Sequence, residues 1–177
     1  MASQTRKIFV GSSSEAEQLA DTAVGDVILK SGMELVPWRG IFPLNVHPLE
    51  VFERILPESI DGAVFLVTPD VFGTRGSARF DAPVANVILE YGYLTARLGR
   101  RRVVVCEFDG ATQPSDLQGV TVVKCGRYEP DKPGPLPEDA RTQLGNWMTG
   151  LPQLAQGFAP VKQVHGYSGK WNVKSTF

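Results

Sequence analysis

Six residues, Gly62-Ala-Val-Phe-Leu-Val67, form an almost wholly apolar run with no polar alternation. A strand with one wet face alternates. A run that does not is covered on both faces, as a central strand of a parallel sheet is. The rest of the chain reads easily around that constraint. Lys7-Ile-Phe-Val, Glu34-Leu-Val-Pro37, Arg102-Val-Val-Val-Cys106 and Thr121-Val-Val-Lys124 supply four more strand patterns. Helical spacing lies between them. It predicts a helix over about 15–30, with Leu19, Ala23, Val27 and Ile28 inward, Ser14 and Glu17 at capping-box spacing and a stop at Gly32. A second covers about 48–59, with Leu49, Phe52 and Leu56 on one face. A third opens at Pro83, carries Val84, Val87, Ile88, Tyr91, Leu94 and Leu98 inward and stops at Gly99. A last one covers 136–151, with Leu144, Trp147 and Leu151 on its apolar side. Residues 68–77 read as a loop, and Pro114 to Gly119 as a turn or short helix.

Strands alternating with helices predict an α/β fold, a parallel five-stranded sheet with helices on both faces. Right-handed crossovers put every strand's C-terminal end on one edge, and ligands of such sheets bind there. The loops starting at Gly11, Trp38, Thr68 and Glu107 fall on that edge.

A length of 177 residues suits one domain with a real core. The reading places that domain at 1–158 and leaves 159–177 as a linker or the start of a truncated β-rich module, from the Gly-broken pattern Gln163-Val-His-Gly-Tyr-Ser-Gly-Lys-Trp-Asn-Val-Lys. A formal net charge of -1 gives no electrostatic case for nucleic acid or an anionic membrane as partner. No apolar run approaches a membrane span, and Met1 to Lys7 has no signal-peptide core. Cys106 and Cys125 sit in or beside apolar runs and read as buried free thiols, which fits a cytoplasmic location.

The chemistry centres on Glu90, a lone carboxylate in Ala82-Pro-Val-Ala-Asn-Val-Ile-Leu-Glu-Tyr-Gly-Tyr-Leu. A carboxylate in such company is solvated, paired or used, because burying a bare charge is very costly. Asn86, Glu90, Tyr93 and Arg97 share one stripe of the helix, offset from the apolar one. A solvated surface glutamate also fits that pattern. One carboxylate is too few for ordinary O-glycoside hydrolysis, which uses two. It suffices for the nicotinamide–ribose bond of NAD+, whose leaving group is cationic and departs neutral, so that the carboxylate need only stabilise the oxocarbenium-like transition state. Asn86 adds an amide, and Trp38 and Phe42 can stack a flat ring or simply anchor a loop. Backbone N–H groups of Gly11, Ser12 and Ser13 at a helix start can take a phosphate, as can Arg39 or Arg75. There is neither a Walker sequence nor a dinucleotide fingerprint.

The motifs in order are Lys7-Ile-Phe-Val-Gly-Ser-Ser-Ser-Glu, Pro37-Trp-Arg-Gly-Ile-Phe, Asp61-Gly-Ala-Val-Phe-Leu-Val-Thr-Pro-Asp, the Glu90 segment, Leu98-Gly-Arg-Arg-Arg-Val and Pro114-Ser-Asp-Leu-Gln-Gly-Val. Over about 6–155 they resemble the TIR domain of cyclic-nucleotide-activated antiphage effectors of the CBASS and Pycsar systems, including TIR–STING fusions. The resemblance implies a flavodoxin-like domain that hydrolyses NAD+ to nicotinamide and ADP-ribose once an attached or partner sensor binds a cyclic nucleotide and the TIR domains self-associate into an oligomer. It implies Glu90 as the catalytic residue. It implies substrate contacts at Gly11, Ser12 and Ser13 and in the loop from Trp38 to Asn45, with Arg39 and Phe42, and at Asp70 and Asn86. It implies no metal and no cofactor beyond NAD+ as substrate. Where many relatives carry Pro-Arg-Asp-Asn, this chain has Pro83-Val-Ala-Asn86, which leaves Arg79 as another donor near the site. Two other functions share these features: a non-catalytic TIR self-association module, and a nucleoside N-glycosidase of the deoxyribosyltransferase type.

Overall fold

The computed structural model describes residues 5–41, 50–52, 59–69, 73–75, 78–80, 85–111, 120–129, 132 and 134–151, with backbone alone at 40, 73–75, 78–80 and 85–86. Its strands are β1 (Lys7–Gly11), β2 (Glu34–Pro37), β3 (Gly62–Val67), β4 (Gly73–Arg75), β5 (Ala78–Phe80), β6 (Val103–Glu107) and β7 (Thr121–Lys124). Helix α1 runs over 17–30, with a π-helical turn at Ala20–Val24 between α-helical Glu17–Leu19 and Gly25–Lys30. Helices α2 (Ala85–Leu98) and α3 (Glu138–Gly150) complete the set used below.

Five strands form one sheet in the order β2-β1-β3-β6-β7, and every pair in it is parallel. Numbered within the sheet this is 2-1-3-4-5, the flavodoxin-like order. The fold class read from the sequence is therefore the observed one. The strand order reverses between β1 and β3, where the chain has gone out to β2 and returned on the other side. The C-terminal ends flanking that reversal are where a doubly wound sheet leaves a crevice.

Side-chain alternation splits the core into two layers. Ile8, Val10, Val64, Leu66, Val104 and Cys106 face α1 and α3, packing on Val24, Ile28, Leu144 and Met148. Phe9, Ala63, Phe65, Val67, Val103 and Val105 face the other way, onto Val87, Tyr91 and Leu94 of α2 and onto Val51 and Phe52. β3 is buried at all six residues, as its composition requires. In the α2-side layer the rings meet edge to face: Phe9 with Phe65 at 5.9 Å, and Phe65 with Tyr91 at 5.6 Å between centroids. Cys106 and Cys125 are both free and buried. Hydrogen bonding with Cys125, then burial, hold the Cys106 thiol well above its usual range.

The structure corrects several sequence readings. α1 starts two residues late with no side-chain cap, and the hydroxyl that accepts just ahead of it, from Ala16, is that of Ser13 rather than Ser14. The Ala16 N–H donates to Ser13 Oγ at 3.3 Å, and Glu17 reaches a different partner described below. Arg102 belongs to a 3-10 turn, Arg100–Arg102, and is buried with its Nη1 donating to the Asp61 carbonyl at 2.8 Å. The stretch read as loop after β3 holds the antiparallel pair β4–β5. Three-residue strands are too short to show a period. Gly32 and Gly99 do end their helices, with φ of 73° and 87°. The expected helix over 48–59 is seen only at its ends, while Pro83, Val84, 112–119 and 152–177 lie outside the described residues.

Candidate functional site

The loop after β1 and the turn after β2 reach the start of α2, the helix that follows β3. The described residues there enclose a cavity of about 180 Å³ at the C-terminal edge of the sheet, beside the strand-order reversal. Ser12, Ser13 and Ser14 line it from the first loop, Glu17 from the start of α1, Trp38 and Arg39 from the turn Trp38–Gly40, and Val87 and Glu90 from α2.

Glu90 is 6% exposed. It does not lie on a polar stripe offset from the apolar one, as the sequence reading had it. It belongs to the buried stripe itself, with Val87, Tyr91 and Leu94 at helical spacings of three and four. Its Oε1 accepts a hydrogen bond of 3.0 Å from Trp38 Nε1. Its Oε2 is buried and has no hydrogen-bond partner among the described residues. Burial pushes the Glu90 carboxyl up from an ordinary 4.5 to about 7, and the Trp38 hydrogen bond pulls it back only in part. Near neutrality the acid is thus poised between its two forms.

Trp38 is 36% exposed, so its indole bridges the buried carboxylate and the open side of the cavity. Arg39 is paired with Glu17, its guanidinium on Glu17 Oε2. Ser13 is buried, and its hydroxyl and carbonyl both accept from the Ala16 N–H, while the Glu17 N–H reaches the Ser14 carbonyl. Two of the amides at this helix start are therefore already engaged.

Of the residues expected from the sequence, Ser12, Ser13, Trp38, Arg39 and Glu90 meet in this one cavity. Gly11 does not line it. It ends β1 against Phe65, where a Cβ would fall 2.5 Å from the Phe65 ring, so the close packing there requires a glycine. Asn86 lies in the first turn of α2, next to Val87, with its side chain outside the description. The side chains of Arg75 and Arg79 are likewise outside it, as are Phe42 and Asp70 altogether. Ser14, Glu17 and Val87 were not among the expected site residues. By spacing alone Glu17 is a capping residue, although its place six residues beyond the end of β1 puts it on the ligand edge. Among the described residues no three metal-ligating side chains converge, and no helix is long and apolar enough to cross a membrane.

Comparison with known proteins agrees with the motif order. The model of the CAP12/Pycsar effector protein TIR domain matches residues 7–127. The Pycsar effector protein BcPycTIR of Burkholderia cepacia is 32% identical over 120 residues, 66% of this chain and 39% of that protein. A CD-NTase-associated protein 12 of Flavobacterium daejeonense is 34% identical over 119 residues, 66% of this chain and 37% of that protein. The match thus spans about two fifths of the length of these curated relatives. A diflavin flavoprotein A3 from Nostoc sp. aligns at a TM-score of 0.47 with 19% identity, over 85% of this chain and 98% of that one. With the family model covering the sheet from β1 through β7, this chain belongs to the CAP12/Pycsar effector TIR domain family.

Proposed function

We propose that the cavity hydrolyses NAD+ to nicotinamide and ADP-ribose, with Glu90 as the catalytic residue, in an antiphage effector switched on by cyclic-nucleotide-driven assembly. The observation that carries the reading is the state of one carboxylate. Glu90 sits buried at a ligand edge with one oxygen fixed by an indole N–H and the other without a partner among the described residues. A buried carboxylate oxygen without a partner is costly, and it is the kind of group a substrate satisfies.

The chemistry asks little else. The bond from ribose C1′ to the pyridinium nitrogen breaks with its electron pair going to the nitrogen, and nicotinamide leaves neutral. Positive charge develops on the ribose, and water then adds to C1′ and releases a proton. The ionised Glu90 is the stabilising charge, with Oε2 toward the ribose and Oε1 held on Trp38. In a site shielded from water that interaction is stronger than in solution. A cationic nicotinamide beside Glu90 also favours its ionised form, so binding drives off the proton that burial retains. The exposed part of the Trp38 indole offers a flat surface to a ring.

The test is nicotinamide release from NAD+ by the chain and by a version clustered on an oligomeric carrier, with nucleosides assayed alongside. Glu90→Gln is expected to lose at least about a hundredfold in turnover while its circular dichroism is unchanged. Undiminished turnover in that variant would remove Glu90 from the mechanism. Cleavage of nucleosides in place of NAD+ would make the protein an N-glycosidase of the deoxyribosyltransferase kind.

A further inference from the structure

Arg39 is the one cationic side chain lining the cavity among the described residues, and it is already engaged. It projects from the turn after β2, 68% exposed, onto the carboxylate of Glu17 in the first turn of α1, which is 25% exposed. Both belong to the cavity wall. A carboxylate on that wall repels an anionic ligand, yet it holds the guanidinium that such a ligand needs. Ion pairs this open to water are weak and readily exchanged. A phosphate group offers the same guanidinium a fork of charged oxygens and forms the stronger charge-assisted pair.

We propose that Glu17 is a positioning residue that keeps Arg39 at the cavity wall in the empty protein, and that a diphosphate-bearing ligand takes the place of Glu17 on the guanidinium. Glu17 and Arg39 then select for a dinucleotide or nucleoside diphosphate over the bare nucleoside, because only the former supplies the exchanging anion. This deepens the NAD+ reading and rests on it for the choice of ligand.

The experiment uses the 177-residue chain carrying Glu90→Gln, so that ligand is bound and not cleaved. ADP-ribose is titrated by calorimetry into that protein and into its Glu17→Gln, Arg39→Gln and doubly substituted derivatives, with adenosine as the ligand lacking phosphate. Glu17→Gln should tighten ADP-ribose by about fivefold. Arg39→Gln should weaken it by about tenfold. In the Arg39→Gln background Glu17→Gln should have no further effect, and adenosine should respond to neither change. Tightening that persists without Arg39 would mean that Glu17 acts through its own field, and would overturn the exchange, as would no tightening at all. NAD+ turnover with a flat cycle sinks the exchange alone. The expected cycle without NAD+ turnover sinks the NAD+ reading and leaves the exchange standing. Absence of ADP-ribose binding in every derivative overturns the exchange, and the NAD+ reading is then decided by turnover alone.

Discussion

Glu90 carries a thermodynamic signature separate from its chemistry. Its folded value of about 7 lies above the ordinary 4.5. Below 4.5 the acid is protonated in folded and unfolded chains alike and pH has no leverage through it. Between 4.5 and 7 the unfolded chain gives up the proton while the folded one keeps it, so stability falls as pH rises. Above 7 the loss is complete, on the order of 3 kcal/mol at 1.36 kcal/mol per unit. Glu90→Gln removes this dependence. Urea denaturation should find the variant gaining roughly 1–3 kcal/mol on the parent between pH 4 and pH 8. A pH-independent difference would mean that the folded protein holds the carboxyl at its ordinary value. Such a gain bought by losing the reactive group is the usual trade between stability and activity. The sequence pointed at Glu90 because no other carboxylate shares its helix. It did not reveal the burial, because Asn86, Glu90, Tyr93 and Arg97 make as regular a stripe as Val87, Glu90, Tyr91 and Leu94 do. Which stripe faces the sheet depends on ring packing that spacing does not encode.

At the scale of elements, the end of β1 is fitted to the aromatic layer under the site. A methyl group on Gly11 would stand 2.5 Å from Phe65 Cε1. Phe65 is fully buried and wedged between Phe9 and Tyr91, so its ring has little room to swing. Gly11→Ala should therefore cost about 1–3 kcal/mol through overpacking, and calorimetry should find Tm lowered by several degrees. An unchanged Tm would mean that the ring yields. β2, β3 and β7 have the bounds that their apolar runs predicted. Helix ends were less legible because Ser13 and Ser14 are chemically equal candidates for the acceptor ahead of α1, and only the geometry of the loop chooses Ser13. The β4–β5 pair is not legible in the sequence because Gly73–Arg75 and Ala78–Phe80 carry no hydrophobic pattern.

On the scale of the whole molecule, the sheet separates two cores that share strands but almost no side chains. The α2-side core carries Glu90's helix, and the α1/α3-side core carries both cysteines. Glu17 on α1 and Arg39 after β2 meet in an ion pair at the C-terminal edge of the sheet, on the wall of the same cavity as Glu90. The thiols turn this two-sided layout into a measurement. Cys106 is 0% and Cys125 2% exposed, so an aromatic disulfide reagent reaches them only when the α1/α3 side opens. The neutral, buried Cys106 thiol adds no reactivity of its own. Labelling at low denaturant should proceed at the rate of global unfolding followed by tryptophan emission. Faster labelling would show that the cysteine side opens on its own. The two sulfurs thus give the protein an internal clock for exposure of its interior, read without adding any probe to the face that holds Glu90.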